Sequence, residues 1–143
     1  MKHFLICTAV LLNAIPALGQ APGAEALVGL WQSPDQQIVL KIDRLGEHFQ
    51  GRIAWVSGTD GVPLDSKNPD PNLRVMPLKG RKILEGLRYD VSGGVWCGGT
   101  LYNYRDGKTY NCKLLLIDQN RLQMEEMTAG STVAAKSVWV RKQ

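Results

Sequence analysis

Alternation of apolar and polar residues is the feature that most constrains the fold of this chain. The stretches 38–42 and 49–56 place apolar or small residues at every second position, and Gly46 lies between them as a turn. Successive side chains of a strand point to opposite faces, so this period indicates half-buried strands. Helical periodicity is almost absent from the rest of the chain. The sequence therefore predicts an all-β protein.

Further strands are expected wherever the same pattern lies between Gly, Asp or Asn residues. They cover 27–32, 82–89, 95–104, 108–117, 121–127 and 132–141. With the first two, the total is about eight strands joined mostly by short turns, within a length of 143 residues that suits one domain. Closure removes exposed strand edges, so we expect a single antiparallel, eight-stranded barrel. A barrel of this size can just hold one small ligand.

The first 19 residues have the pattern of a secretory signal peptide. Lys2 provides a basic start, residues 4–12 are apolar, and small residues precede a cut expected between Gly19 and Gln20. The apolar run is too short to cross a bilayer, which needs about 20 apolar residues. We expect a periplasmic or secreted protein without a membrane anchor, whose residues 20–143 form the barrel domain.

The charge pattern argues against a nucleic-acid partner. Lys and Arg total 17 against 13 Asp and Glu, a net charge of +4. Nucleic-acid binders cluster their basic residues on one face, whereas here they are spread singly apart from the short group at 79–82.

Cys97 and Cys112 form a candidate disulfide, because an oxidising compartment favours pairing of thiols. A hairpin with Tyr104 opposite Lys108 would put the two sulfurs on opposite faces of the sheet. A one-residue bulge at Gly98-Gly99 would realign them. A disulfide and two buried free thiols both remain open at this stage.

The segment 57–80 is the one long stretch without a sustained period, and it contains four prolines. Loops of more than about 12 to 15 residues tend to be functional or mobile, so we expect this one to cross a rim or plug a mouth of the barrel. Asn68, Asp70 and Asn72 resemble the opening of a calcium loop, but Leu73 and Lys79 stand where its glycine and bidentate acid belong. Turn formation is therefore favoured, and no metal is predicted.

Catalytic residues are scarce, so no catalytic residue and no cofactor are predicted. His48 is the only histidine after residue 19, and it lies beside a turn. Glu125 and Glu126 are neighbours on a strand, so they point to opposite faces and cannot converge on one substrate atom. A carboxylate-dependent enzyme would have to use the loop acids Asp60, Asp65 and Asp70.

Ligand binding is the favoured function, because four tryptophans and several tyrosines could line an apolar pocket with polar handles. The alternative is that these rings only fill the barrel. Trp96, Tyr102 and Tyr110 are the predicted wall. Loop residues Asp65, Asn68 and Arg74 are expected to meet Tyr102 at the rim and act as a lid. The alternative is that Asp65 and Asn68 only cap turns within the loop. The predicted ligand-binding residues are thus Trp96, Tyr102, Tyr110, Asp65, Asn68 and Arg74.

Six short motifs together resemble the bacterial family called domain of unknown function 2147. They are Gly29-Leu30-Trp31, Gly51-Arg52-Ile53-Ala54-Trp55, Asp65-Ser66-Lys67-Asn68-Pro69, Trp96 with Gly98-Gly99, Asp106-Gly107-Lys108-Thr109-Tyr110 and Trp139-Val140-Arg141. The resemblance implies an exported barrel related to lipocalins and fatty-acid-binding proteins, with no established activity. It also implies that Arg141 packs on Trp31 and closes one end of the barrel, a structural role.

Two segments depart from that family's pattern. Asn103-Tyr104 stands where Asp-Pro is usual, and Met124-Glu125-Glu126-Met127 replaces a Gly-Tyr-x-Gly segment. The sequence as a whole predicts an exported, non-enzymatic protein that binds a small apolar or amphipathic molecule in the bacterial envelope. The alternatives are an envelope-associated protein-interaction module and the loop-carboxylate enzyme, and the oligomeric state stays open.

Overall fold

The computed structural model describes residues 23–58 and 61–143. The expected signal peptide over 1–19, its cut site and Asp60 lie outside these residues. No helix in the described ranges is long and apolar enough to span a membrane.

Eight antiparallel strands close into a barrel in which each strand pairs with its neighbours in sequence and β1 pairs with β8. A short 3-10 helix, Ala24–Leu27, precedes them. The strands are β1 Gly29–Gln32, β2 Ile38–Leu45, β3 His48–Val56, β4 Lys82–Asp90, β5 Val95–Asn103, β6 Lys108–Asp118, β7 Arg121–Met127 and β8 Val133–Lys142. The predicted all-β, eight-stranded barrel is confirmed. The first strand is shorter than expected because its predicted start at residue 27 belongs to the helix.

The core fills the barrel with the residues that the alternation had marked. On β2, for example, Ile38, Leu40 and Ile42 are all buried, whereas Lys41 between them is exposed. Trp31, Phe49 and the equivalent positions of the other strands complete one continuous apolar cluster. At about 25 cal/mol per Å² of apolar surface removed from water, this cluster is the main force that holds the strands together.

The hairpin of β5 and β6 differs from the expected register by one residue. Asn103, rather than Tyr104, pairs with Lys108, so Gly99 rather than Thr100 lies opposite Cys112. A bulge then separates Gly99 from the next paired residue, Trp96. Gly98 within the bulge has a φ of +76°, a conformation that suits glycine.

The register and the bulge together decide the position of the cysteines. A turn that begins one residue earlier, after Asn103, would by itself put Cys97 and Cys112 on the same face of the sheet. The bulge at Gly98 then moves Cys97 to the opposite face. Cys112 belongs to the core, Cys97 is partly exposed, and both thiols are free. Burial, with the Glu126 carboxylate, raises the pKa of the Cys112 thiol to about 12. The same bulge corrects the expected pocket wall, because it places Trp96 and Tyr102 on different faces of β5.

The long segment between β3 and β4 is tied to the outside of the β5–β6 hairpin. Within it Leu64 pairs with Pro77, and Leu78 contributes to the core. A Cβ added at Gly107, in the hairpin turn, would lie only 2.0 Å from the carbonyl oxygen of Lys67. The segment and the turn therefore touch backbone to backbone.

Candidate functional site

One end of the barrel is closed by the first and last structured segments. The Arg141 guanidinium lies 4.2 Å from the centroid of the Trp31 ring, which is the contact that the resemblance implied. It also donates hydrogen bonds to the carbonyl oxygens of Gln119, Val28 and Ala26 at 2.8, 3.0 and 2.7 Å. The Trp31 indole donates to a fourth carbonyl, on Leu27, at 2.9 Å. These bonds hold the 3-10 helix across this end.

Gly29 makes this closure geometrically feasible. Its φ of +141° is rare for residues with side chains, and a Cβ there would lie 2.7 Å from Nη1 of Arg141. Only glycine therefore lets the arginine pass the start of β1 and reach the helix.

The other end of the barrel is open and contains a cavity of about 290 Å³. Its walls come from the β1–β2 turn, the start of β2, β4, β5 with the following turn, β7 and β8. The apolar side chains of the lining include Ile38, Ile83, Leu101, Met124, Trp139, Pro34 and Ala135. A concave, mainly apolar wall with a few polar groups is the usual construction of a small-molecule site.

Glu126, on β7, places a carboxylate on the wall of the cavity. The Asn103 side-chain amide donates to its Oε1 at 3.3 Å, and none of the ion pairs formed by the described residues includes it. Burial and the nearby Asp106 carboxylate raise the pKa of Glu126, with the Asn103 bond acting in the opposite direction. Glu126 therefore has acceptor capacity that the described residues leave open.

Beside Glu126, the wall offers further polar groups from β8. The Trp139 indole N–H donates to the Ser137 hydroxyl at 3.0 Å, and both residues line the cavity. The indole donor is thereby satisfied. The O–H of Ser137 remains able to donate a hydrogen bond to a ligand oxygen.

The rim is crossed by an ion pair between Asp35 in the β1–β2 turn and Arg105 in the β5–β6 turn. Asp35 also accepts hydrogen bonds from the Ser33 hydroxyl and the backbone N–H of Gln37, at 2.7 and 3.0 Å. Partial desolvation acts to raise the pKa of Asp35, but these hydrogen bonds and Arg105 outweigh it and lower the pKa. The Arg105 guanidinium lies 5.3 Å from the Tyr104 ring centroid. The two rim charges thus neutralise each other.

Asp65, from the long segment, is fully buried and acts as an anchor outside the cavity. It accepts hydrogen bonds from the Tyr102 hydroxyl and the Asn68 amide at 2.7 and 2.8 Å, and its other partner is Arg81 at 2.9 Å. Burial and Asp65 raise the pKa of Tyr102 to about 12. Arg74 donates to the carbonyl oxygen of Asn68 at 2.7 Å.

Of the six predicted ligand-binding residues, Tyr102 alone lines the cavity. Asp65, Asn68 and Arg74 lie in the anchor, and no described residue of 57–80 contributes to the cavity wall. Trp96 is in the core near the closed end, where its indole donates to the carbonyl oxygen of Ala24 at 3.2 Å. The Tyr110 hydroxyl donates to Asp106 at 2.6 Å.

The polar residues of the cavity were missed at the sequence level. Glu126 was considered only with Glu125, which indeed lies on the other face, between Lys113 and Lys136. A usable signal was present, because the two departures from the family pattern, Asn103-Tyr104 and residues 124–127, both contribute to the cavity wall.

Among the described residues, neither a metal-binding cluster nor a pair of loop carboxylates that could act together on a substrate is present. These residues contain no group of three or more His, Cys, Asp or Glu side chains that could hold a metal ion. Asp65 is engaged by its three partners, and Asp70 accepts from the backbone N–H of Asn72 at 2.9 Å. His48 accepts a hydrogen bond from Arg88 at 3.0 Å, at an exposed edge of the barrel.

Comparison with solved structures gives the same architecture. The chain is similar to a protein of Helicobacter pylori, HP1028, described as belonging to the lipocalin family. The TM-score is 0.71 at 22% sequence identity, and the match covers 82% of this chain and 83% of that one. At this identity the likeness shows a shared lipocalin fold. No curated protein matches the chain.

The sequence itself matches a family described as an uncharacterized protein conserved in bacteria, DUF2147. The match extends over residues 29–141, from the glycine that opens β1 to the arginine that closes the barrel. It thus includes Trp31 and Arg141 of the closed end, the anchor and the whole cavity, while the 3-10 helix precedes it. The chain belongs to the DUF2147 family.

Proposed function

We propose that this protein is an exported, non-enzymatic binder that takes up one small, partly apolar molecule through the open end of its barrel. The observation that carries the proposal is the cavity itself, with an apolar floor, a few polar groups and a volume of about 290 Å³. The 3-10 helix, Trp31 and Arg141 cross the opposite end of the barrel, so the proposed route of entry is the open end.

The size of the cavity limits the ligand. At about 30 Å³ per water-sized group, a cavity of about 290 Å³ accommodates about ten non-hydrogen atoms. Long-chain lipids exceed that volume. Short amphipathic molecules fit it, with the apolar part against Leu101 and Met124 and the polar part toward Asn103 and Glu126.

A pair of neighbouring alanines offers a direct test. Both alanines are exposed to solvent, but Ala135 lines the cavity and pairs with Glu126, whereas Ala134 does not contribute to the wall. Octan-1-ol is a suitable neutral probe, and its binding can be followed by NMR shifts of the Leu101 and Met124 methyl groups. We expect Ala135→Trp to abolish the shifts and Ala134→Trp to retain them. Equal binding by both variants would place the probe elsewhere and refute the cavity as the site.

Export is tested separately, on protein recovered from the cell envelope. Amino-terminal sequencing should give a chain that starts at Gln20. Native mass spectrometry of the same material should show a small molecule retained in the folded protein. A chain that still starts at Met1, found only in the cytoplasm, would contradict the proposed location.

A protein-interaction role is the second candidate, and the outer surface of the long segment favours it. Val62 and Val75 are 66% and 70% exposed, and Leu64 and Met76 are also exposed. Val75→Ser with Met76→Ser should then remove crosslinks to an envelope partner while octan-1-ol binding stays unchanged. Unchanged crosslinks would eliminate this candidate.

A further inference from the structure

We infer that the molecule bound in the cavity is an amphipathic amine, whose protonated nitrogen is received by Glu126. The inference rests on the proposed function and names the chemical class of its ligand. The geometry behind it is a single inward carboxylate above an apolar floor, left without a cationic partner by the described residues.

The first step is the charge of the cavity. Its charged lining residues are Asp35, Arg105 and Glu126. Asp35 and Arg105 form the ion pair at the rim, so their charges cancel. Glu126 has a single hydrogen bond, from a neutral amide, at a long 3.3 Å. The empty cavity therefore carries one uncompensated negative charge when Glu126 is ionised.

The second step concerns the groups around Glu126. Asp106, in the β5–β6 turn, adds negative charge rather than compensating it. Asp106 itself accepts hydrogen bonds from the Tyr110 hydroxyl and the backbone N–H of Lys108. The positive charge of the Lys108 side chain favours the ionised form of Asp106. The β6 residue paired with Glu126 is Cys112, whose thiol is neutral because its pKa is about 12. On β8 the paired residue is Ala135.

The third step is the fit of the ligand head. An ammonium group brings a positive charge and several N–H donors, and charge-assisted hydrogen bonds to a carboxylate are about twice as strong as neutral ones. A ligand carboxylate would instead meet the like charge of Glu126. The Asn103 amide oxygen accepts from the backbone N–H of Arg105 at 3.0 Å and the Ser137 hydroxyl accepts from the Trp139 indole, and each oxygen has a second lone pair for a ligand donor. The cavity thus favours an amine over an alcohol, and an alcohol over an acid.

Three probes with eight carbon atoms each and different heads test this order. Octylamine, octan-1-ol and octanoate can be titrated calorimetrically into the full chain at mildly alkaline pH and low salt. We expect octylamine to bind most tightly and octanoate most weakly. Glu126→Gln should weaken octylamine about ten- to hundredfold and change the affinity for octan-1-ol by less than about threefold.

Glu125→Gln is the matched control, because it removes the same charge from the adjacent residue on the opposite face. It should leave the affinity for octylamine within about twofold of the wild type. If octan-1-ol binds as well as octylamine, the amine inference fails while the cavity proposal stands. Preference for octanoate would assign recognition to Arg105 and also overturn the inference. Failure of all three probes to bind would overturn both proposals.

Discussion

The closed and open ends of this barrel differ in how their charged groups are satisfied. At the closed end, Arg141 has an aromatic face and three backbone carbonyl oxygens as partners. At the open end, Glu126 has one long hydrogen bond from Asn103. A partly buried charge costs stability unless hydrogen bonds replace the water that it loses, and the partners of Arg141 do so far more completely than the one partner of Glu126. The comparison separates a structural end from a binding end within one small barrel.

The largest expected effect is at the closed end. Trp31→Ala should lower the free energy of unfolding by about 3 to 5 kcal/mol, because it leaves a large hole under the helix. Arg141→Ala should cost about 2 to 4 kcal/mol, because it removes the cation–π contact and the bonds that order the helix. Since both changes break one contact, the double mutant should lose less than the sum. Denaturant unfolding measures all three variants.

Arg121→Ala is the control, since its ion pair with Asp118 is exposed and is expected to contribute about 0.5 kcal/mol or less. Strict additivity of the Trp31 and Arg141 changes would show that the two residues do not act as one unit. The closed end would then not be a cooperative structural unit, and the contrast with the open end would fail.

The next prediction tests whether the Asp65 anchor belongs to the binding site or only to the fold. Asp65→Ala should destabilise the protein by about 3 kcal/mol, because Arg81 and the Tyr102 hydroxyl lose their buried partner. The affinity for octan-1-ol should change by less than about threefold, since no described residue of 57–80 lines the cavity. Thermal unfolding and an NMR titration give the two values. Faster ligand release without a lower midpoint would restore the lid that the sequence suggested.

The third effect depends on pH and concerns the open end alone. An alkyl amine stays protonated below about pH 10, whereas Glu126 must be ionised to receive it. The pKa of Glu126 is raised by burial and by Asp106, so the affinity for octylamine should begin to fall at a higher pH than an ordinary carboxyl would give. Below that pKa it should decline up to about tenfold per pH unit. The affinity for octan-1-ol should stay flat, and a parallel decline would indicate general loss of structure.

The smallest effect has the opposite sign to those at the closed end. A raised pKa in the folded state means that the ionised form of Glu126 opposes folding, and this penalty is present once the pH exceeds that pKa. Glu126→Gln should therefore raise the free energy of unfolding at neutral pH, by no more than about 0.5 kcal/mol after solvent screening. A clear loss of stability in this variant would mean that Glu126 serves the fold, as Arg141 does.

The fold was largely predictable because it depends on local patterns. Alternation over 38–42 and 49–53 predicted the buried positions Ile38, Leu40, Ile42, Phe49 and Ile53. It failed at the far end of this pair, where Val39 is buried and Trp55 is 46% exposed, beside a register shift between Val39 and Leu40. The β5–β6 register was only partly predictable, because the sequence offered a bulge at Gly98-Gly99 but not the turn that begins one residue earlier, after Asn103. A single such shift exchanges the faces of a strand, which is why Trp96 and Tyr102 were assigned to the same wall.

The site was less predictable because a cavity is a long-range property. Parity placed Glu125 and Glu126 on opposite faces, but it could not tell which of them faces inward. The space beside Glu126 exists because Ala135 and Ser137 on β8 are small, while Trp31 and Trp96 fill the other end. That arrangement depends on strand pairing between distant parts of the chain, and sequence spacing alone does not contain it.

The contacts of Arg141 have a consequence for how the barrel is assembled. Its partners Ala26 and Val28 are separated from it by 115 and 113 positions. Contacts between segments so distant in sequence are slow to form, because a long loop must close before they are made. We therefore expect the hairpins between neighbouring strands to form first and the closure of the barrel by Arg141 to come late in folding.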